Sequence, residues 1–171
     1  MQKLTFFRIL SFILIPIALL FLFMDFFALL MALSNPTVLF PVFLMAGMVI
    51  YIFTSAYFLL VGIDRKQVLN PSLKDWIKVN AYVTLFFGFQ FMLIALSVFY
   101  LNQNDLKEMA DKVMSAQPNM PKTMTSALFL TMLRGMAYFF FFLAFFLLIH
   151  ITICFKLLKE HAGLFSEKLA E

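Results

Sequence analysis

Apolar residues run almost unbroken from Ile9 to Leu33, Val38 to Ile63, Val79 to Leu101 and Ser126 to Phe155, and the polar residues gather between these runs. A helix rising 1.5 Å per residue needs roughly 20 residues to cross a hydrocarbon core of about 30 Å, and each run is longer than that. Four transmembrane helices are therefore predicted. The first two are joined by Ser34, Asn35 and Pro36, a turn with no room for a domain. Thr37 is expected to open the second helix, with Pro41 tolerated in its first turns, where amides lack an intrahelical acceptor. Between the second and third spans, Ser72 stands three residues before Asp75, a variant of the capping box that starts a helix. Trp76 and Tyr100 flank the third span, as aromatic residues do at the headgroup boundary.

The longest polar segment, Asn102 to Met124, carries its own periodicity. Leu106, Met109, Ala110, Val113 and Met114 recur at helical spacing, with Lys107, Glu108, Asp111 and Lys112 on the other face. This predicts a short amphipathic helix over about 105–117, lying on the membrane surface and ended by Pro118 and Pro121. After Phe155 the tail, residues 156–171, sets Leu157, Leu158, Leu164, Phe165 and Leu169 among charges. It reads as a helical extension that lies on the inner leaflet or docks on another subunit. The expected fold is all-α: an integral membrane four-helix up-down bundle, one transmembrane domain over residues 1–171, with an interfacial helix between spans three and four.

Composition removes the alternatives. Of 171 residues 64% are apolar, 25 are Phe and only 13% are charged, whereas a soluble domain carries roughly a quarter charged residues. Mean hydropathy is +0.97, which also excludes a disordered chain. The single cysteine, Cys154, forbids an internal disulfide, and no CxxC pair or Cys/His cluster suggests a metal or redox centre. The net charge of +4 comes from residues at the ends of apolar runs, a pattern of membrane orientation and not of nucleic-acid binding.

With the N-terminus placed inside, Lys3, Arg8, Arg65, Lys66, Lys74, Lys78, Lys156, Lys159 and Lys168 are cytoplasmic, against Lys107, Lys112 and Lys122 outside. Nine against three predicts a multi-pass protein of the inner (cytoplasmic) membrane with both termini in the cytoplasm. The first apolar run is about 25 residues, beyond the roughly 7 to 15 of a signal-peptide core, so it is expected to remain as an anchor.

Ionisable groups within spans are costly, about 2.5 to 3.5 kcal/mol each on insertion scales, and there are three: Asp25, Arg134 and His150. Asp25 lies about 12 Å below the outer end of the first span and Arg134 about 13 Å below that of the fourth. Opposite charges at one depth predict a buried ion pair that fixes the register of the two helices. Thr131 and Tyr138, at i−3 and i+4 from Arg134, fall on its face and extend a polar patch. His150 is sixteen residues beyond Arg134, a rotation of about 160°, so it belongs to a different site. Asn80 and Thr84 of the third span are its expected partners, and a satisfied structural histidine is favoured over a haem or metal ligand. Gln90, mid-way along the third span, reads as interhelical packing.

Small residues mark expected helix contacts: Ala81, Thr84, Gly88 and Ala95 in the third span, Thr131 and Gly135 in the fourth. The Phe139 to Phe142 run, with Phe145 and Phe146, goes all round its helix, so part of it faces lipid or a partner. No phosphate-binding loop, HExxH, GxSxG or paired carboxylate is present. The reading is a protein without catalysis or cofactor, an accessory, assembly or regulatory subunit of a larger membrane complex. Its partners would be the bilayer and other membrane subunits or further copies of itself. The alternative is a homo-oligomeric channel or small-solute transporter lined by Gln90, Asp25 or Arg134.

Overall fold

A computed structural model describes residues 2–116 and 124–165. These residues are helical apart from short connections. α1 spans Gln2–Ala32, α2 Leu39–Tyr57, α3 Pro71–Tyr100, α4 Gln103–Ser115 and α5 Ser126–Glu160. Four helical stretches, α1, α2 with its extension to Asp64, α3 and α5, are long and apolar enough to cross a membrane. Phe12, Phe23, Phe43, Phe89 and Phe142 are each more than half exposed, a surface that only lipid or a partner would cover.

Helix starts differ in detail from the expectation. Asn35 Oδ1 accepts from the Thr37 amide at 3.2 Å and the Thr37 hydroxyl at 2.7 Å, with Pro36 opening a 3-10 turn, Pro36–Val38, that leads into α2. Asn35, not Thr37, is thus the cap, and Pro41 falls in the first turn of α2. At α3 the Ser72 amide donates to Asn70 Oδ1 at 2.9 Å and Pro71 is the first helical residue. The cap is Asn70 in place of the Ser72 box, because Pro71 has no amide to lose and its fixed φ suits the first helical position. α4 has a reciprocal cap: Asn102 Oδ1 accepts from the Asp105 amide at 2.9 Å while Asn102 Nδ2 donates to Asp105 Oδ2 at 2.7 Å. It ends at Ser115, so Pro118 and Pro121 follow it by several residues and lie outside the described residues, as do Lys122, Lys168 and Leu169.

The chain divides into two compact units, Met1–Phe87 with Phe146–Glu171, and Gly88–Phe145. In the first unit α1 packs along α2, burying Phe7, Leu10, Ser11, Leu14, Ala18, Phe21, Asp25 and Ala32. Ser11, Ala18, Asp25 and Ala32 recur every seven residues, the repeat that keeps one narrow stripe against a neighbour. α2 meets α3 at Gly47, where an added Cβ would stand 2.5 Å from Val83 Cγ1, so only glycine admits this approach. α2 then widens into π geometry over Phe58–Asp64, and Lys66 takes a positive φ of 52° as the chain turns toward α3.

The described part of the tail folds onto its own chain. After α5 a 3-10 turn, Ala162–Phe165, brings the Leu164 carbonyl to accept from the Leu69 amide at 2.7 Å, and Phe165 stacks on Phe58 at 5.5 Å. Leu69 and Phe165 are both buried, so this contact satisfies a backbone group that would otherwise be stranded in apolar surroundings. Arg8 of α1 reaches Asp64 at 2.5 Å in the same unit.

In the second unit Ala95 and Val98 of α3, Leu106 of α4 and Ala137 of α5 form a buried cluster flanked by Leu130, Leu133 and Phe141. Ser126 donates to Asp111 Oδ1 at 2.5 Å, tying the start of α5 to α4. The phenylalanine run is shared out: Phe140 stacks on Phe91 at 4.3 Å and Phe141 joins the cluster, while Phe139, Phe142 and Phe145 are exposed. The small-residue stripe of α3 is buried as expected at Ala81, Thr84 and Ala95, and a Cβ added at Gly88 would stand 3.9 Å from Ala144. Among the described residues the Thr131 and Gly135 pair makes no helix contact: Thr131 is exposed and a Cβ on Gly135 would meet nothing within 4 Å. Ala137 and Ala144 serve instead, and Gly135 stands about 200° round the helix from Ala137.

Candidate functional site

The most concentrated polar chemistry at membrane depth is built around His150, in the first unit. α5 presents the imidazole, α2 presents Tyr51 and α1 presents Phe7 and Ser11. Ser11 is 2% exposed and His150 and Tyr51 are sealed entirely. Tyr51 Oη lies 2.7 Å from His150 Nδ1 and Ser11 Oγ lies 2.9 Å from Nε2. The Phe7 ring stacks on the imidazole with centroids 4.4 Å apart, and the Tyr51 ring meets it edge-on at 5.5 Å. Cys154, also fully buried one turn further along α5, and Ser55 adjoin the Tyr51 hydroxyl.

The proton positions follow from counting donors. Ser11 Oγ donates its one hydrogen to the Phe7 carbonyl at 2.8 Å, so toward the imidazole it can only accept. With the Ser11 hydrogen on that carbonyl, the network is completed by a ring hydrogen on Nε2, which leaves Nδ1 as the lone-pair acceptor for the Tyr51 hydroxyl. The chain Tyr51 to His150 to Ser11 to the Phe7 carbonyl is directional, and both ring nitrogens are satisfied. Ser11 and His150 have the spacing of a nucleophile and its base, and in this assignment the serine hydrogen lies on the Phe7 carbonyl and the imidazole hydrogen on Nε2. This arrangement clamps three helices together.

The expected partners of His150 are replaced. Asn80 Nδ2 donates to the Trp76 carbonyl at 2.8 Å and Thr84 Oγ1 to the Asn80 carbonyl at 2.7 Å, both within α3, so neither turns to the histidine. Serine and threonine commonly back-bond to the carbonyl four residues earlier in apolar helices. The sequence did hold a signal for the true partners: Ser11 and His150 lie at similar distances from the chain-terminal ends of their spans.

Asp25 continues the buried α1 stripe at 8% exposure, and its Oδ1 has no hydrogen-bond partner among the described residues. Arg134 and Gln90, in the second unit, are half-buried. Thr131 Oγ1 donates to the Ala127 carbonyl at 3.0 Å, and the Tyr138 ring packs on Phe99 at 4.8 Å. Among the described residues no three His, Cys, Asp or Glu side chains are grouped to hold a metal ion. Comparison with protein families, with curated proteins and with solved structures finds no match for this chain.

Proposed function

We propose that this chain is a non-catalytic four-span protein of the inner membrane, an accessory, assembly or regulatory subunit of a larger membrane complex. The observation that carries the reading is Asp25, a buried carboxyl group within a span whose Oδ1 receives no hydrogen bond among the described residues. Leaving such a group unpaired in hydrocarbon costs several kcal/mol, and an oxygen in that state marks a helix that awaits a polar neighbour. Arg134, set at a similar depth by its spacing along the sequence, is the cation we propose for it, a pair that would fix helix register. The His150 network supports the same reading, since its polar groups fasten helices and line no path.

Both termini lie in the cytoplasm in this proposal, and α4 lies at the opposite interface of a single up-down domain. The excess of Lys and Arg supports that orientation. The Arg8 to Asp64 and Leu69 to Leu164 contacts, which gather four helix ends, support the up-down order. The test is a pull-down of the tagged chain from its own host in native nanodiscs, read by native mass spectrometry beside the Asp25→Leu variant. A stoichiometric hetero-complex that weakens in the variant is expected. Recovery solely as a defined homo-oligomer would replace this reading with a pore or carrier.

A further inference from the structure

Lys74, Lys78 and Tyr82 follow one another at four-residue spacing in the first turns of α3 and so share one face. Across from them α5 brings Phe155, Leu158 and Lys159, and the two stripes enclose a cleft of about 400 Å3. Both stripes belong to the first unit, and the Tyr82 and Phe155 rings, 5.7 Å apart, form its apolar wall. Three ammonium groups line this cleft and no carboxylate does. The carboxylates closest in sequence do not face it: Asp75 lies off the lining, Glu160 lines a separate cleft beside Lys3 and His161, and Asp64 is held by Arg8.

Two further features make the cluster costly as it stands. Lys74 and Lys78 are half-buried, and among the described residues neither joins an ion pair. Lys74 also sits in the first turn of α3, which holds no acid and whose dipole presents partial positive charge, so the helix end repels it. An anion in the cleft would reverse each of these penalties. The surroundings say where that anion comes from: Trp76, Val79 and Tyr82 are exposed by 57%, 62% and 63%, a belt of the kind that sits at the headgroup level and continues into the apolar span.

We propose that this cleft binds the phosphate headgroup of an anionic membrane phospholipid, with Lys74, Lys78 and Lys159 around the phosphate and the Tyr82 and Phe155 rings against the upper acyl chain. Basic pockets between transmembrane helices recognise lipid headgroups through this chemistry. The site is independent of the subunit reading, because it needs only the chain and a bilayer.

Delipidated full-length chain in neutral detergent is titrated with dioleoylphosphatidylglycerol, with dioleoylphosphatidylcholine and with inorganic phosphate, and bound adducts are counted by native mass spectrometry. The phosphatidylglycerol adduct is expected to form at least tenfold more tightly than the phosphatidylcholine adduct. The triple variant Lys74→Gln, Lys78→Gln, Lys159→Gln is expected to lose that preference, with Lys78→Gln alone weakening it about fivefold. The triple exchange to Arg and the remote pair Lys107→Gln, Lys112→Gln are expected to retain it. Equal binding of the two lipids, or a preference that survives in the Gln triple, overturns the proposal. Inorganic phosphate that displaces the lipid completely at equal concentration would assign the cleft to a soluble phosphate and overturn the lipid source.

Discussion

Replacing Tyr51 with Phe removes one oxygen from the interior and leaves the ring in place, so it deletes the hydrogen bond to His150 Nδ1 along with the hydroxyl's contacts to Cys154 and Ser55. The bond is 2.7 Å long and lies where neither partner meets solvent. Without it one ring nitrogen is orphaned whichever tautomer the imidazole adopts. If Nε2 keeps its hydrogen, Nδ1 has no donor. If the hydrogen moves to Nδ1, it has no acceptor. An unsatisfied buried group costs about 1 to 3 kcal/mol, while interhelical hydrogen bonds in membranes average about 0.6 and reach about 1.7. Complete burial and the absence of a replacement donor put Tyr51→Phe near the upper membrane value, about 1 to 2 kcal/mol or roughly 5- to 30-fold in the folding equilibrium. The assay is reversible unfolding of the intact chain in mixed micelles, with nitrogen NMR of the histidine ring in the wild type. The ring is expected to carry its hydrogen on Nε2. A variant within about 0.3 kcal/mol of wild type, or a hydrogen found on Nδ1, would refute the directional chain.

The contrast is Thr84→Val, which removes a hydroxyl bonded only to its own helix at Asn80; we expect less than about 0.5 kcal/mol in the same unfolding assay. Gly47→Ala should cost about 1 to 3 kcal/mol by forcing Val83 aside, and Val83→Ala added to it should recover most of that loss. Arg134→Leu should fold poorly and be rescued by Asp25→Leu if the two residues pair; a double variant no more stable than Arg134→Leu refutes the pairing. Arg8→Gln should lower stability by no more than about 1 kcal/mol, with the difference fading at high salt, because the Arg8 and Asp64 side chains are 40% and 30% exposed.

The long elements were legible because each is written in a run of apolar residues that a helix must extend to cross hydrocarbon. α4 was legible because its polar and apolar positions separate at helical spacing. Caps were readable to within two residues: Ser72 and Asn70 are both good capping types, and the choice fell to Pro71 between them. The His150 site was not read, because Ser11, Tyr51 and His150 lie on three helices and an apolar span does not say which neighbour it faces. Ser11 alone looks like any small residue in a span. Its place in the seven-residue series with Ala18, Asp25 and Ala32 was the available sign that this face of α1 is inward. Thr131 and Gly135 show the converse, small residues that satisfy the pattern of a contact and point away from one.

The hydrogen bond between Tyr51 and His150 spans 99 positions of the chain, and that between Ser11 and His150 spans 139. At about 5 to 20 residues per second of synthesis, Tyr51 precedes its partner by roughly 5 to 20 seconds. Through that interval α1 and α2 occupy the bilayer with the Ser11 oxygen and the Tyr51 phenol lacking their partner on α5, and the Leu69 amide waits about as long for Leu164. The early helices are thus incomplete until the last one arrives, and a chain interrupted before α5 leaves those groups without their partners. Completion of biogenesis is written into the molecule as the closing of bonds that only its final segment can make.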